Sequence, residues 1–475
     1  MVPNLIGGAW ERPQGAYAAV YNPATGQVID QVPLSGASEV GAAVAAAVAA
    51  YPHWSRTPLM ERVRLMFAYK ALLEKHADEL AAIVTRHHGK TLDEARGEVR
   101  RGIEVVDFAC GAPTLLQGRT LRDVSAGVDQ DLYRYPVGVC AGIPPFNFPV
   151  MIPLWMYPLA VVAGDTFVLK PSERTPLGAV RLAELFLEAG FPEGVLNVVH
   201  GARDAVDALL THPDIRAISF VGSEPVARHV YATAAANGKR VQALGGAKNH
   251  IVVMADADPE VAVPAIVNSA FGNAGERCLA GSVAVVVGRA AGNLIESLKR
   301  AAEALKVGPG DEPGVQVGPL IRADHRDKVA DFIDKGLAEG ARLLVDGRAE
   351  VSRAGFFLGP TVLDHVTSDM SVGREEIFGP LLSVSRAGTL DEAIDQANRS
   401  ALGNMATIFT QSGRSAREFR EGVETGMTGI NVPIAQPFAF FPFSGWKRSF
   451  YGDLHAHGTD GIDFYTRKKV VVTRW

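Results

Sequence analysis

The feature that most constrains this fold is a regular alternation of short apolar segments with helical segments between residues 135 and 425. Such alternation is typical of parallel α/β sheets, because a helix carries the chain back between successive parallel strands. The first series has predicted strands over 135–143, 166–170, 195–199, 215–221 and 241–244, and helices over 176–189, 205–211 and 226–237. The second has strands over 250–254, 282–287, 342–345, 361–365, 382–386 and 405–410, and helices over 259–272, 289–304, 323–339, 390–399 and 414–425.

The chain of 475 residues is long enough for two or three domains. Helices are also predicted over 37–50, 60–84 and 91–116, ahead of the first series. We therefore expect one α/β unit from residues 1–126 and 136–244 and a second from residues 245–440. The extended segments 127–135 and 462–473 belong to neither unit, so we expect them to pair elsewhere.

Composition and charge exclude several classes of protein. With 47% hydrophobic residues, 21% charged residues and a formal net charge of −5, nothing indicates a nucleic-acid partner. The three widely spaced cysteines fit neither a disulfide framework nor a zinc motif, so we expect no metal, and reduced thiols favour the cytoplasm. The N-terminus lacks a signal-peptide pattern. Three prolines interrupt the apolar stretch 148–163, so we expect a soluble protein rather than a membrane protein.

Cys278 is the candidate nucleophile. It lies in Gly-Asn-Ala-Gly-Glu-Arg-Cys-Leu-Ala-Gly, a glycine-flanked turn after a predicted helix. The cation of Arg277 beside it favours the thiolate, which is the reactive form. From this segment alone, a buried core cysteine is an equal alternative. Cys110 and Cys140 lie in apolar surroundings, and for both the core interpretation is preferred.

Asn147 is the candidate oxyanion donor. It lies in Pro-Pro-Phe-Asn-Phe-Pro over 144–149, where three prolines hold a turn after a predicted strand. An amide fixed in this way can donate an N–H to a developing negative charge. Taken alone, however, the segment is better explained by an ordinary turn asparagine.

Three further segments have the composition of nucleotide contacts. Lys170 and Glu173 follow a predicted strand, where ligands bind in open α/β sheets, and together they suit the hydroxyls of a ribose. Ser223 follows Phe-Val-Gly at the start of a predicted helix, which favours phosphate. Glu376, in Glu-Glu-Ile-Phe-Gly-Pro, could contact a second ribose. Solvated turns and a solvated helix end explain the same residues, and no GxGxxG motif is present.

Together and in order, these segments resemble the aldehyde dehydrogenase superfamily over nearly the whole chain. Within it, the chain is most similar to the CoA-acylating methylmalonate-semialdehyde dehydrogenases, through Gly-Lys-Thr-Leu at 89–92, Arg-Gly-Ile-Glu-Val-Val at 101–106, Gly-Ala-Lys-Asn-His at 246–250 and Asn-Val-Pro-Ile at 431–434. The resemblance implies a dinucleotide-binding domain, a catalytic domain and a β oligomerisation flap. The flap would comprise 127–135 and 454–475, in a homotetramer or homodimer.

One departure from the hydrolytic members is informative. Those enzymes carry Glu-Leu-Gly-Gly-Lys, whose Glu is the base that activates water. Aligned on Lys248, this chain has Leu244 at that position, and aligned on Leu-Gly-Gly it has Ala243. Neither residue can accept a proton, which fits an enzyme whose thioester is opened by the thiol of CoA rather than by water.

The resemblance also implies roles for individual residues. Cys278 would attack the aldehyde, and Asn147 with the Cys278 backbone N–H would stabilise the oxyanion. Arg101 and Arg277 would hold a substrate carboxylate, although for Arg101 a solvated helix charge is the alternative. CoA would accept the acyl group, with loss of CO2 to give propionyl-CoA or acetyl-CoA. The implied NAD contacts are Pro144, Phe146, Lys170, Glu173, Arg174, Ser223, Gly245 and Glu376.

Several alternatives stay open from the sequence. The carboxylate of Glu173 favours NAD over NADP, because it repels a 2′-phosphate, whereas Arg174 weakens that inference. The phenylalanine-rich stretch 435–443 lies where the superfamily shapes its aldehyde pocket, so methylmalonate and malonate semialdehyde are not distinguished. A hydrolytic aldehyde dehydrogenase of another substrate class and a non-catalytic scaffold with this fold are the competing interpretations.

Overall fold

The computed structural model of the protein describes residues 1–288 and 291–475. The described strands, β1 to β22 in chain order, are Asn4–Ile6, Ala9–Glu11, Tyr17–Asn22, Gln27–Pro33, Arg119–Ser125, Val128–Pro136, Val139–Ile143, Thr166–Leu169, Leu196–Val198, Ile215–Val221, Arg240–Leu244, Asn249–Val253, Gly281–Val287, Arg342–Val345, Thr361–Asp364, Leu381–Ala387, Leu402–Gly403, Met405–Phe409, Met427–Ile430, Trp446–Lys447, Phe450–Tyr451 and Thr466–Arg474.

The described α-helices, α1 to α16 in chain order, are Ala37–Trp54, Leu59–Lys75, Ala77–His88, Leu92–Cys110, Ala112–Leu115, Met151–Ala163, Leu177–Glu188, Arg203–Thr211, Glu224–Ala236, Pro259–Phe271, Ala291–Glu303, Ala323–Ala338, Ser371–Arg374, Leu390–Asn398, Gly413–Gly422 and Gly458–Phe464. The predicted strands and helices of both α/β series coincide with these elements to within a few residues. Positions 289 and 290 of the helix predicted over 289–304 lie outside the described residues.

The first series forms one side of the molecule. Its sheet has the order β2-β1-β9-β8-β7-β10-β11-β21, and the five strands from β9 to β11 are parallel. Strands β8 and β9 lie on one side of β7, and the next strands along the chain, β10 and β11, lie on its other side. The strand order therefore reverses between β7 and β10. In open α/β sheets, ligands bind at such a reversal, beyond the carboxyl ends of the strands.

The second series forms another sheet, of order β14-β15-β16-β13-β12-β18-β19, in which β14 alone is antiparallel to its neighbour. Residues 245–248 connect β11 of the first sheet directly to β12 of the second. This connection brings the carboxyl edge of the first sheet to the amino edge of the second. The α/β class with two largely parallel sheets, predicted from the sequence, is confirmed.

A separate sheet has the order β22-β6-β5, with β22 and β6 paired in register from Thr466 opposite Pro136 to Arg474 opposite Val128. Two expectations are corrected here. The strand predicted over 462–473 begins at Thr466, because the preceding turn of α16 buries Ile462 and Phe464 in the core. Strand β5, at 119–125, also joins this sheet, although the sequence placed it in the first α/β unit; every residue of β5 is exposed, so it shows no apolar alternation.

Helix α6 was not predicted as a helix, because its prolines interrupt the apolar stretch. All thirteen residues of α6 are buried. Pro153 lies in the first turn, where no intrahelical N–H bond is lost, and the core accommodates Pro158 further along. Helices α2 and α4 pack against α6. In the described part of the chain, no helix is both long and apolar enough to cross a membrane.

Candidate active site

Three segments come together around Cys278. They are the turn after β7, the segment before β13, and the connection from β11 to β12. The side-chain amide of Asn147 joins the first two directly, since its Nδ2 donates to the Glu276 carbonyl oxygen at 2.9 Å. The structure therefore brings the predicted oxyanion donor to the predicted nucleophile segment, across 129 positions of sequence.

Two asparagines fix the backbone at Cys278. Asn249 Nδ2 at the start of β12 and Asn404 Nδ2 just before β18 both donate to the Cys278 carbonyl oxygen at 2.8 Å. The turn before it includes Asn273 and Ala274 in the left-handed region, with φ of 56° and 51°. Non-glycine residues rarely adopt this conformation, and clusters of them are typical of functional sites. Cys278 is partly exposed, whereas Cys110 and Cys140 are buried, as predicted.

Burial dominates the protonation of Cys278. Desolvation of the sulfur and, to a smaller extent, the negative charge of Glu376 raise the pKa of the thiol to about 12. The backbone N–H groups of Cys278 and Leu279 and the cation of Arg277 act in the opposite direction but do not compensate. Arg277 thus has the predicted direction of effect, since its cation lowers the pKa of the thiol, but desolvation disfavours the charged form more strongly.

Asn147 is itself buried, at 4% exposure. Its side-chain amide carries two N–H groups, and among the described residues the Glu276 carbonyl oxygen accepts from it. A second N–H remains to bind an oxyanion beside the thiol. Its backbone carbonyl accepts a hydrogen bond from Lys90 Nζ at 2.7 Å.

Glu376 is held against the connection between the sheets. Its Oε1 accepts from the Ala247 N–H at 2.7 Å, and burial raises the pKa of its carboxyl to about 7. A Cβ at Gly246 would lie 2.4 Å from Glu376 Oε2, so only glycine allows this approach. Ala247, Arg277 and Glu376 line one small cavity.

Lys170 and Glu173 follow β8, at the carboxyl edge of the first sheet, and their charged atoms are 3.4 Å apart. Burial lowers the pKa of Lys170. Although burial alone would raise it, the charges of Lys170 and Arg174 hold the pKa of Glu173 below its ordinary value. The guanidinium of Arg174 lies 5.3 Å from the ring centroid of Phe146, on the side of the turn after β7.

Ser223 is the N-cap of α9, and its side chain makes no capping hydrogen bond. Pro225 has no N–H, so the first turn offers the N–H groups of Glu224 and Val226 to a phosphate. The acid in this turn, Glu224, is neutralised by Arg448, whose Nη2 lies 2.9 Å from the carboxylate. At the adjoining strand end, a Cβ on Gly245 would lie 2.9 Å from the Arg448 carbonyl oxygen, so the glycine keeps this cradle open. These features fit a dinucleotide.

The two candidate carboxylate-binding arginines differ in their contacts. Arg101, on α4, forms an ion pair of 2.9 Å with Glu104, and its guanidinium lies 4.5 Å from the ring centroid of Phe438. Arg277 Nη2 instead donates to the carbonyl oxygens of Asn268 and Ser269, at the carboxyl end of α10. A cation at this position satisfies the last carbonyls of the helix. The guanidinium of Arg277 therefore has a structural partner that its sequence position did not indicate.

Leu244 and Ala243 end β11 and are buried. Both are aliphatic, so under either alignment the position of the family's base has no side chain that accepts a proton.

Sequence reasoning missed several buried polar residues around these segments. Lys90 and Glu98 form a buried ion pair of 2.6 Å, and His88 stacks on Phe146 with ring centroids 6.0 Å apart. Burial raises the pKa of Glu276 well above its ordinary value. Lys90 lies in the Gly-Lys-Thr-Leu segment that resembles the family, but no local pattern gives it a role. A buried glutamate in a charged helix such as α4 likewise has no local sequence signal.

The comparisons with known proteins agree with this geometry. The aldehyde dehydrogenase family matches residues 10–471, and this chain belongs to it. Malonate-semialdehyde dehydrogenase 2 of Geobacillus kaustophilus is 56% identical over 475 residues, covering 99% of this chain and 98% of the relative. The malonate-semialdehyde dehydrogenase of Halalkalibacterium halodurans is 55% identical over 474 residues, with the same coverage.

Solved structures give the same result. The crystal structure of methylmalonate-semialdehyde dehydrogenase from Oceanimonas doudoroffii superposes with a TM-score of 0.98 at 48% identity, covering 100% of this chain and 98% of that one. A protein from Sinorhizobium meliloti 1021, solved in complex with NAD, also superposes with a TM-score of 0.98, at 45% identity and with the same coverage. The predicted family and its resemblance to semialdehyde dehydrogenases are confirmed.

Proposed function

We propose that this protein oxidises a carboxylated semialdehyde, malonate or methylmalonate semialdehyde, with NAD through a thioester on Cys278. CoA then takes the acyl group, and CO2 is lost to give acetyl-CoA or propionyl-CoA. The observation that carries the proposal is the hydrogen bond that joins Asn147 to the segment of Cys278, in a chain whose strand end Ala243–Leu244 offers no base for water. The names of relatives at 55–56% identity support the substrate class.

The first step is a covalent addition. The Cys278 thiol loses its proton to solvent and attacks as the thiolate: its sulfur bonds to the aldehyde carbon, and the electrons of the C=O π bond move to the oxygen, which becomes an oxyanion. The free N–H of the Asn147 amide and the backbone N–H of Cys278 stabilise this charge; in other enzymes one such donor contributes roughly 10²–10³-fold to turnover. Because the turn of Asn147 is packed into the core, this donor needs little rearrangement during the reaction.

NAD would supply the hydride acceptor for the oxidation when bound. Glu173 and Lys170 would hold the adenine-side ribose, with Arg174 beside them. The first turn of α9 after Ser223, with Gly245, would bind the phosphates. Glu376 would contact the second ribose. The carboxylate of Glu173, which would repel a 2′-phosphate, supports NAD over NADP.

The fate of the thioester separates two candidate functions. A CoA thiolate attacks the carbonyl carbon, and the Cys278 thiolate leaves, so no base for water is required. Hydrolysis is the second candidate, and one observation favours it: Glu376 has a carboxyl pKa of about 7 and lies close enough to Cys278 to raise the thiol pKa. However, Glu376 is hydrogen-bonded to the Ala247 N–H and matches a cofactor contact of the family. Both features assign its carboxylate to NAD rather than to water, which favours the CoA route.

Arg101 would bind the substrate carboxylate. Its guanidinium is partly exposed and lies beside Phe438 in the phenylalanine-rich stretch that the family uses for its aldehyde pocket. Arg277 would add positive charge from its position before the nucleophile, while its Nη2 remains on the end of α10.

The domain assignment belongs to the same proposal. Residues 1–118 and 136–244 would bind the dinucleotide, since β5 belongs to the three-stranded sheet, and residues 245–440 would form the catalytic domain. The three-stranded sheet would form the oligomerisation flap of a homodimer or homotetramer in the cytoplasm. Strand β22 exposes Val470 and Val472 at 62% and 59%, which supports its contact with a second copy.

The test is an NADH absorbance assay with malonate semialdehyde, methylmalonate semialdehyde and propanal, each with and without CoA, followed by mass spectrometry of the product. We expect rapid turnover of an acid semialdehyde only with CoA, and acetyl-CoA or propionyl-CoA as product. Equal NADH formation without CoA, with a dicarboxylic acid as product, would instead establish hydrolysis. No NADH with any aldehyde would favour a non-catalytic scaffold.

A further inference from the structure

The buried pair of Lys90 and Glu98 lies behind the turn that carries Asn147. Both side chains are 0% exposed, and Lys90 Nζ lies 2.6 Å from Glu98 Oε2. Lys90 follows α3, and Glu98 lies two turns into α4. Removing two charges from water is costly, and such pairs often contribute little net stability compared with apolar residues. Their contacts therefore indicate a purpose other than stability.

Each member of the pair holds a different part of the turn. Lys90 Nζ donates to the Asn147 carbonyl oxygen at 2.7 Å and lies 4.1 Å from the ring centroid of Phe148. Glu98 Oε1 accepts from the N–H groups of Val150 and Met151 at 2.8 and 3.2 Å. The pair thus fixes both the residue with the oxyanion amide and the start of α6.

The turn needs such external contacts because it can form few of its own. The three prolines over 144–149 have no backbone N–H to donate. In the parts of the chain described, the carbonyl of Phe146 is held by Thr175 Oγ1 at 2.9 Å and that of Asn147 by Lys90. Both anchors are side chains from outside the turn.

We propose that Lys90 and Glu98 are positioning residues that set the Asn147 amide for oxyanion binding. Lys90 fixes the Asn147 carbonyl, and Glu98 fixes Lys90 and the helix start that follows. The inference rests on the proposed oxyanion role of Asn147. It adds that the geometry of this amide depends on an ion pair that touches no substrate.

The first experiment compares Lys90→Met with Asn147→Ala and with the double variant, by NADH formation from the acid semialdehyde. Misplacement of a reacting group by about 1 Å costs roughly 10²-fold, so Lys90→Met should lower kcat/KM by about 10- to 100-fold. If Lys90 acts through Asn147, then Lys90→Met should change kcat/KM by less than about threefold in the Asn147→Ala background, because the amide is already absent.

The second experiment separates positioning from stability. Lys90→Met and Glu98→Gln each leave a buried polar partner unmatched, so both should lower the Tm. The combined variant removes both charges, and the amide oxygen introduced by Glu98→Gln can still accept from the Val150 N–H, so the Tm should recover. The kcat/KM should stay low, because nothing holds the Asn147 carbonyl. Recovery of kcat/KM together with the Tm would overturn the inference.

Lys239→Met is the matched control. Lys239 is another buried lysine, whose Nζ donates to the carbonyl oxygen of Ile215 at 3.0 Å, far in sequence from Asn147. It should lower the Tm, with any effect on kcat/KM equal in both Asn147 backgrounds. If Lys90→Met lowers kcat/KM by the same 10- to 100-fold with and without Asn147→Ala, the positioning role is likewise refuted. If Asn147→Ala alone leaves kcat/KM unchanged, the proposed oxyanion role fails and the positioning role of Lys90 and Glu98 fails with it, whereas a large loss in Asn147→Ala with unchanged kcat/KM in Lys90→Met would refute the positioning role alone.

Discussion

Replacing Arg101 by leucine tests the substrate assignment most directly. If the guanidinium binds the substrate carboxylate, the variant should lose activity with an acid semialdehyde and retain it with propanal, which has no carboxylate. The change removes the ion pair with Glu104 as well, so its expected size depends on both interactions.

The structure sets the magnitude. A charge-assisted hydrogen bond contributes about 1.5–3 kcal/mol. In the free protein, Arg101 is already paired with Glu104 at 2.9 Å, with the two side chains 31% and 33% exposed. A pair screened by solvent to this degree contributes about 0.2–1 kcal/mol, which the substrate must displace. The difference of about 0.5–2.8 kcal/mol corresponds to a loss of roughly 2- to 100-fold in kcat/KM for the acid semialdehyde.

The assay is NADH absorbance with both aldehydes, for the parent, Arg101→Leu, Glu104→Gln and Arg100→Leu. Glu104→Gln removes the competing carboxylate, so it should raise kcat/KM for the acid by up to about fivefold. Arg100 is the exposed neighbour on α4 and serves as the matched charge control. An Arg101→Leu variant that treats both aldehydes as the parent does, or that loses both equally, would refute carboxylate binding at this residue.

Three further predictions concern the nucleophile and the cofactor. Cys278→Ala should abolish NADH formation while the affinity for NAD in titrations stays nearly unchanged. Cys110→Ala should lower the Tm but keep activity. The reverse pattern would show that Cys278 is not the nucleophile. Glu173→Gln should weaken NAD binding and narrow the gap between NAD and NADP, so unchanged affinities for both would remove its assignment to the ribose. With a thiol pKa of about 12, alkylation of Cys278 by iodoacetamide in the protein alone should still accelerate above pH 9. The carboxylate of Glu376 ionises near pH 7, and its negative charge opposes formation of the thiolate. Glu376→Gln should therefore speed alkylation above pH 7. A plateau of the alkylation rate near pH 8 in the parent protein would contradict the raised thiol pKa.

The secondary structure shows where sequence patterns were sufficient. Strand β10 spans Ile215–Val221 and β14 spans Arg342–Val345, as predicted, because short apolar runs between turn residues leave few alternatives. Strands β1 to β4 near the N-terminus and β19 were missed although most of their partners are close in sequence, as in the β1–β2 and β3–β4 pairs. They are short or largely exposed, as in β2 and β4, so they show no clear apolar alternation. Helix α6 was missed because prolines argue against a helix. Here Pro153 lies in the first turn and the core accommodates Pro158, and neither position can be recognised from the sequence alone.

The sequence by itself determined the class of fold, the family, and the candidate roles of Cys278 and Asn147, because periodicity and short motifs are local properties. The tertiary structure decided what surrounds them. Burial, rather than the neighbouring Arg277, controls the thiol, and the end of α10 takes the guanidinium that the sequence had directed to substrate. The contact from Lys90 to Asn147 spans 57 positions. Desolvation and hydrogen bonds between distant segments arise only once the chain has packed, so no local pattern encodes them.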